Sequence, residues 1–269
     1  MAAARIVFGL VMGAPGSDLP AQVDRLTAIL GEHAGVEITR FDAPSYEALA
    51  TEVREGRVDM AWLPPIVFVR LADAVTPIGS IVRDGQSAYE AALVVRSDSR
   101  IRTVDALRGT RAGWVDPWSA AGFVLPRVRL ALLGVDPRTV FRTETFYGSH
   151  RGVMKALADG ACDVAGTYAH ADADGNVTGG AWSELEGIDV RVLATFGAIP
   201  PDVLGLRNEY PEEGRGRIVA ALRAACADDK ARLTLREIFD GDELREGLEP
   251  GYEALKSALD VATTRGLFD

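Results

Sequence analysis

The segment from Asp116 to Phe123 lies where a predicted strand passes into a predicted helix, and it is well suited to binding an anion. The first backbone N–H groups of a helix have no partner within the helix and carry the positive end of its dipole, so they attract anions. Trp118 and Ser119 stand at this helix start, followed by Ala120 and Ala121. The Ser119 hydroxyl has two possible roles, a bond to a ligand or the capping of its own helix.

A second strand-to-helix junction, Gly148-Ser149-His150, places a histidine at a helix start. Histidine changes charge near physiological pH, so it can hold an anion or move a proton. It can equally be a surface histidine or a partner of the helix cap. His170 follows Tyr168 near the end of the next predicted strand, where it either joins a site with His150 or is a solvated loop residue.

Four more side chains near the ends of predicted elements are candidates for a binding pocket. Asp202 follows two prolines just before a strand, where it is either a ligand-binding acid or a turn carboxylate bonded to its own backbone. Tyr46, Trp62 and Tyr89 each lie close to an element end, where an aromatic ring either lines a pocket or packs in the core.

Composition and motif content exclude several function classes. Three histidines and two cysteines (Cys162 and Cys226) lack the spacing of a metal site or of a catalytic triad, so no metal and no cofactor are predicted. Asp and Glu (39) outnumber Lys and Arg (29), and the net charge of −10 argues against nucleic acid and anionic membranes as partners. A small anionic ligand remains possible, because the backbone amides of a buried site create their own local field.

The first fourteen residues determine the predicted compartment. Residues 13–16 resemble a cleavage region, but residues 6–11 have the composition of a buried first strand, which we favour over a secretion signal. No apolar run reaches the ~20 residues of a membrane span, so membrane insertion is not expected. We predict a cytoplasmic location for the printed chain, and an extracytoplasmic one if its start is trimmed.

Short apolar runs alternate with helix-period segments along the whole chain, which indicates an α/β fold. We expect two lobes, each a mostly parallel sheet flanked by helices, with strand crossovers near residues 83–90 and 193–200. Lobe 1 comprises residues 1–86 and 197–269, and lobe 2 comprises residues 87–196. Two lobes of this kind form a cleft, which is a preferred place for a small-molecule site.

Within these lobes, the sequence predicts several features that the structure can test. Gly31 is expected to end the first helix, and Pro126 to kink or restart the helix over residues 120–133. The Gly- and Asp-rich residues 171–180 are expected to form a loop.

Several short motifs, in order, resemble the phosphate, phosphite and phosphonate substrate-binding proteins of ABC transporters. They cover roughly residues 5–225 and comprise Ser45-Tyr46, residues 56–63, Tyr89 with residues 94–99, residues 104–109, residues 116–126, Gly148-Ser149-His150 and residues 199–202. The resemblance implies a type II periplasmic-binding-protein fold that closes over a tetrahedral oxyanion, with an ABC permease as partner if the chain is exported.

By the same resemblance, Ser119, His150 and Asp202 match ligand-binding positions, and Tyr46 and Tyr89 match pocket tyrosines. Together with the candidates above, the predicted ligand-binding set is Tyr46, Trp62, Tyr89, Trp118, Ser119, Ala120, Ala121, His150, Tyr168, His170 and Asp202.

The chain departs from the family pattern at two places in this set. Similar proteins begin the helix with Ser-Thr-Ser-Gly, whereas this chain has Ser119-Ala120-Ala121-Gly122. Each lost hydroxyl removes a charge-assisted bond of ~1.5–3 kcal/mol while the backbone amides remain, so we expect an altered ligand preference. His170 stands at the position of a further amine-binding acid, which argues against an aminoalkylphosphonate.

The residues leave three functions open. The first is a binding protein for a small oxyanion that works by lobe closure. The second is an intracellular biosynthetic enzyme on the same scaffold, with lyase- or dehydratase-type chemistry, His150 and Asp202 as its acid–base pair, and His170 or Tyr168 assisting. The third is a cytosolic sensor whose closed state is recognised by a protein partner.

Overall fold

A computed structural model describes residues 5–11, 18–82, 88–172, 174–239, 241 and 243–268. The strands, in chain order, are β1 (Arg5–Val11), β2 (Glu37–Ala43), β3 (Met60–Leu63), β4 (Val75–Val82), β5 (Tyr89–Arg96), β6 (Arg111–Trp114), β7 (Thr143–Phe146), β8 (Val164–Ala171), β9 (Val177–Gly180), β10 (Val190–Ile199), β11 (Val203–Arg207) and β12 (Glu243–Arg245).

The helices, in the same order, are α1 (Leu19–Ala34), α2 (Tyr46–Arg54), α3 (Pro65–Leu71), α4 (Leu125–Leu132), α5 (His150–Ala158), α6 (Glu212–Ala227), α7 (Asp229–Phe239) and α8 (Tyr252–Thr264). A π-helical segment, Ala120–Val124, runs directly into α4, and short 3-10 turns occupy Val104–Leu107 and Ala181–Glu184. None of the helices in the described ranges is both long and apolar enough to cross a membrane.

The chain divides into two compact units. Unit 1 comprises Met1–Ser87 and Pro200–Pro250, and unit 2 comprises Ala88–Ile199 and Gly251–Asp269. The predicted lobes differ from these units mainly at residues 251–269, which the sequence analysis assigned to lobe 1. Residues 12–17 and 83–87, which include the predicted cleavage region and part of the first crossover, lie outside the described residues.

Unit 1 contains a six-stranded sheet in the order β12-β4-β11-β3-β1-β2. β1 is parallel to β2 and β3, and the other pairs are antiparallel. The buried residues Ile6, Phe8 and Leu10 alternate along β1 and pack with residues of α1, α6 and α7 into one core. The apolar run at the start of the chain is therefore a core strand, as the sequence predicts.

Unit 2 contains a sheet in the order β10-β5-β8-β6-β7, with β9 paired to β8. β6 is parallel to both of its neighbours, whereas β5 is antiparallel to β8 and to β10. Each sheet is thus mixed rather than mostly parallel. Parallel pairing needs a crossover connection, usually a helix, and in the described ranges the chain reaches β10 and β11 without an intervening α-helix.

The last residues of the chain contact α4, the helix of unit 2 that carries Arg127. The Arg127 side chain, 3% exposed, donates from Nε to the Leu267 carbonyl at 2.7 Å and pairs with Glu144. The ring of Phe268 lies 5.9 Å from that of Phe123. These contacts explain why residues 251–269 belong to unit 2, which the sequence pattern did not reveal.

Three local predictions concern the end of α1 at Gly31, the loop at residues 171–180 and the helix around Pro126. α1 continues past Gly31 and ends at Gly35, whose φ of 65° gives the left-handed cap that glycine favours. Glycine is needed at position 31 for a different reason, because a Cβ there would lie 2.7 Å from the Val36 carbonyl oxygen. The segment at 171–180 is not all loop, because it contains β9. The helix restart that the sequence predicts near Pro126 is present, because the π-helical segment ends at Val124 and α4 begins at Leu125.

Candidate functional site

Three strands of unit 2 bring most of the predicted site residues to one edge of the sheet. β6 is parallel to β7 and to β8, so the carboxyl ends of all three strands lie on the same side. Ligands of α/β sheets commonly bind at this edge. Ser119 follows the end of β6, and His150 follows the end of β7. Tyr168 and His170 lie near the carboxyl end of β8.

The backbone of Val115 connects the two helix starts at this edge. Its N–H donates to the Gly122 carbonyl at 3.3 Å, and its carbonyl accepts from the Gly148 N–H at 2.8 Å. A Cβ at position 122 would lie 2.4 Å from Cγ2 of Val115, so the close approach requires glycine there. The helix starts at Ser119 and His150 are therefore fixed to the same strand end.

Ser119 caps its own helix, which is one of the two roles that the sequence left open. Its Oγ accepts from the Gly122 N–H at 3.0 Å, and its side chain is buried. A hydroxyl that accepts one bond still has its proton to donate, so the cap does not exclude a ligand bond. Asp116 shapes the preceding turn, since its Oδ1 accepts from the Trp118 N–H at 2.7 Å.

His150 is the first residue of α5 and contacts a residue that the sequence analysis did not single out. Its Nδ1 lies 2.9 Å from Oγ1 of Thr167, a fully buried threonine of β8. The imidazole is half-buried, and its removal from water lowers the pKa of His150 from 6.5 to about 4. His150 is therefore uncharged at neutral pH in the absence of a ligand and would meet an anion as a neutral donor.

An aromatic row extends from His150 along β8. The ring of Tyr168 lies edge-on to His150 with centroids 4.9 Å apart, and His170 follows at 5.3 Å from Tyr168. The Tyr168 hydroxyl donates to the carboxylate of Glu184, a second residue that the sequence analysis missed. Glu184 lies in a 3-10 turn with no recognisable motif, so no sequence signal pointed to it.

The other predicted residues are spread over both units. Tyr89 is the first residue of β5 in unit 2 and pairs with Ile199 of β10. In unit 1, Tyr46 is the first residue of α2, and Asp202 is buried directly before β11. The Asp202 carbonyl accepts from the Ile81 N–H at 2.9 Å. The predicted cleft between the lobes stays a prediction.

Trp62 of β3 packs against the core of unit 1. Its ring meets Phe239 edge-on, with centroids 4.7 Å apart. This packing agrees with a core role, but the ring is only partly buried, so the pocket role of Trp62 stays a prediction.

The described residues contain no group of three or more His, Cys, Asp or Glu side chains that could hold a metal ion. Cys162 is buried beneath the unit 2 sheet, and this burial raises the pKa of its thiol to about 11. The thiol is therefore protonated at neutral pH and is not an activated nucleophile.

A sequence model of the family described as "ABC transporter, phosphonate, periplasmic substrate-binding protein" matches residues 8–248. The chain belongs to this family. It is 26% identical over 171 residues to the phosphate-import protein PhnD of Mycolicibacterium smegmatis, covering 59% of this chain and 53% of that protein. It is 28% identical over 126 residues to the phosphonates-binding periplasmic protein of Escherichia coli, covering 44% of this chain and 37% of that protein. The matches thus span about half or less of these curated relatives.

Solved structures of similar fold cover nearly the whole chain. The binding-protein component of an ABC phosphonate transporter from Pseudomonas aeruginosa has a TM-score of 0.78 at 21% identity, covering 97% of this chain and 89% of that one. PhnD1 of Prochlorococcus marinus in complex with methylphosphonate has a TM-score of 0.77 at 14% identity, covering 98% of each chain. The predicted family and the type II periplasmic-binding-protein fold are confirmed, and the enzyme alternative receives no support.

Proposed function

We propose that this chain is the substrate-binding component of an ABC transporter and that its ligand is a small tetrahedral phosphorus oxyanion. The observation that carries the proposal is the Val115 backbone, which joins the helix starts at Ser119 and His150 at one edge of the unit 2 sheet. In a chain of this family, that edge carries hydrogen-bond donors from two helix starts.

The donors at this edge suit an oxyanion. The early N–H groups at Ala120 and Ala121 lack partners within their helix by position, and the Ser119 hydroxyl retains its proton. Hydrogen bonds from such groups to a charged oxygen are roughly twice as strong as bonds between neutral groups. His150 is uncharged at neutral pH, and its Nε2 makes no hydrogen bond within the described part of the chain. We propose these four residues as the main ligand contacts.

The organic part of the ligand is proposed to lack an amine. An ammonium group would need a further acidic acceptor besides Asp202, but His170 stands where the family resemblance would put one. The Glu184 carboxylate, which lies beside the aromatic row, is engaged by the Tyr168 hydroxyl. Phosphate, phosphite and simple alkylphosphonates therefore fit this edge better than aminoalkylphosphonates.

The family resemblance adds further proposed contacts. Tyr46 and Tyr89 are proposed pocket tyrosines, and Asp202 is proposed to accept from a protonated oxygen of the ligand. Trp118 is retained as a neighbour of the Ser119 helix start. Trp62 is also retained, because its ring is only partly buried against the core and its Nε1 is buried without a hydrogen-bond partner in the described residues.

The proposed partner is an ABC permease. Members of this family are periplasmic receptors, so we propose an extracytoplasmic site of action if the chain is exported. The cytoplasmic location predicted from the sequence is the alternative. Cell fractionation of the native gene product distinguishes the two locations independently of the ligand.

A thermal-shift panel tests the ligand proposal. The purified chain is heated with phosphate, phosphite, methylphosphonate, aminoethylphosphonate, sulfate or a set of carboxylate metabolites. A ligand at about 100 times its Kd stabilises the native state by ~2.7 kcal/mol, which shifts Tm by several degrees. We expect a shift with an amine-free phosphorus oxyanion. A shift with a carboxylate metabolite alone would overturn the proposal.

A further inference from the structure

The contact between His150 and Thr167 raises the question of which nitrogen of the imidazole carries the proton. A neutral imidazole has one N–H donor and one bare acceptor nitrogen. Nδ1 of His150 faces Oγ1 of Thr167 at 2.9 Å, so one of the two groups donates to the other. The choice decides whether Nε2 can donate to a ligand.

The surroundings of Thr167 favour one direction of this bond. Thr167 is fully buried in β8, and Nδ1 of His150 is the one hydrogen-bond partner that the described structure gives its hydroxyl. If Oγ1 accepted a proton from Nδ1, the threonine O–H would be left buried without an acceptor, which costs free energy. If the threonine O–H donates to Nδ1, both groups are satisfied.

We propose that Thr167 is a positioning residue for His150: its hydroxyl donates to Nδ1 and holds the imidazole in the tautomer that carries its proton on Nε2. The neutral ring then offers an N–H donor to an anionic oxygen instead of a lone pair that would repel it. The consequence for ligand binding rests on the proposed function, whereas the tautomer itself does not.

The placement of both residues supports this role. His150 is held at the start of α5, where Ser149 caps the helix by accepting from the Gly152 N–H at 3.0 Å. The Tyr168 ring packs edge-on against the imidazole. Backbone and ring packing thus restrict the position of His150, but neither selects the nitrogen that carries the proton. Within the described residues, the Thr167 hydroxyl is the group that does.

The test is the ¹⁵N NMR spectrum of the histidine side chains in the ligand-free protein near neutral pH, because protonated and bare ring nitrogens resonate far apart. The chain has three histidines, and His150→Gln identifies the signals of His150. We expect the Nε2–H tautomer in the unmodified protein. An Nδ1–H tautomer there would overturn the proposal without any substitution at Thr167.

Two substitutions at Thr167 separate positioning from simple packing. Thr167→Ser keeps the hydroxyl and should keep the tautomer, whereas Thr167→Val keeps the shape and should give a mixture of tautomers. Thr27→Val is the matched control, since Thr27 is a buried threonine of unit 1 whose hydroxyl donates to a backbone carbonyl. An unchanged Nε2–H tautomer in Thr167→Val would also overturn the proposal.

Ligand affinity gives the second measurement. With methylphosphonate as the probe, Thr167→Val should raise Kd roughly 10-fold, the value of about one hydrogen bond, and Thr167→Ser should restore most of the affinity. If methylphosphonate, phosphate and phosphite all fail to bind the unmodified chain while the Nε2–H tautomer is present, the proposed function fails and the positioning role stands. If they bind with equal affinity to Thr167→Val, Thr167 does not position the donor.

Discussion

The carbonyl oxygen of Val115 accepts a hydrogen bond from the N–H of Gly148 at 2.8 Å. The same residue donates its own N–H to Gly122, so the end of β6 sets the positions of two helix starts. Gly148 has a φ of 76°, in the left-handed region that glycine favours. This turn brings His150 to the edge where Ser119 lies.

Substitution of Gly148 tests the importance of that turn. Gly148→Ala should lower the free energy of unfolding by ~1–2 kcal/mol, because the left-handed conformation disfavours a Cβ. Gly109 is a matched control, since it also has a φ of 76°, has no atom near its would-be Cβ and donates its N–H to a carbonyl. Chemical denaturation should show similar losses for the two variants, whereas calorimetry with methylphosphonate should show weaker binding for Gly148→Ala alone. Equal affinities in both variants would contradict the account.

Ser119 has a structural and a proposed binding role, and two substitutions distinguish them. Ser119→Ala loses the cap and the ligand donor, with a stability cost of about 1 kcal/mol, whereas glycine at the N-cap costs only a few tenths. Both variants should lose methylphosphonate affinity by roughly 10-fold or more, the value of a charge-assisted bond.

Asp228→Ala provides the control for the Ser119 variants, because Asp228 accepts from the Ala231 N–H at the start of α7 in unit 1. It should lower Tm without changing affinity. If Ser119→Gly binds as tightly as the unmodified chain, the hydroxyl is a cap only.

Ala121 allows a gain-of-affinity test. This alanine is 1% exposed and stands where similar proteins have a hydroxyl residue. Ala121→Ser should lower Tm without ligand, since it buries a hydroxyl, and should raise methylphosphonate affinity roughly 10-fold by supplying a charge-assisted donor. Thermal shifts with and without ligand measure both effects. A stability loss without an affinity gain would show that position 121 does not face the anion.

His150 makes stability depend on pH in a defined direction. Its pKa in the folded chain is about 4, below the ordinary value of 6.5. Between these values the unfolded chain binds a proton that the folded chain does not, so the free energy of unfolding falls as pH drops through this window. The loss should reach at most ~3.4 kcal/mol.

Denaturation of the unmodified chain and of His150→Gln at a series of pH values checks this effect. The glutamine variant should lack the His150 contribution, so the stability difference between the two proteins should change from about pH 7 to about pH 4. Parallel stability curves over this interval would contradict the assigned burial effect.

Local sequence patterns were sufficient to predict several elements and the candidate site residues at one edge of the unit 2 sheet. The apolar run at residues 6–11 correctly predicted β1, and the restart expected near Pro126 is the start of α4. The strand-to-helix junctions correctly indicated the surroundings of Ser119 and His150, because a parallel strand places its following loop at the carboxyl edge.

Contacts between distant segments were not visible in the sequence. Thr167 is an ordinary strand residue by composition, and its contact with His150 arises only when α5 packs on β8. Glu184 meets Tyr168 for a similar reason. The attachment of the chain end to unit 2 depends on Arg127, whose place in α4 gives no sign of its partner.

Isothermal titration of methylphosphonate, phosphate and phosphite into the unmodified chain, with Ser119→Gly and His150→Gln beside it, tests the central claim most directly. We expect one site per chain for at least one of these anions, and a Kd raised roughly 10-fold or more in each variant. Sulfate serves as the control for general anion binding. Saturable binding with the same Kd in all three proteins would contradict a phosphorus-oxyanion site at the starts of these two helices. The absence of heat from methylphosphonate, phosphate and phosphite alike would contradict it as well.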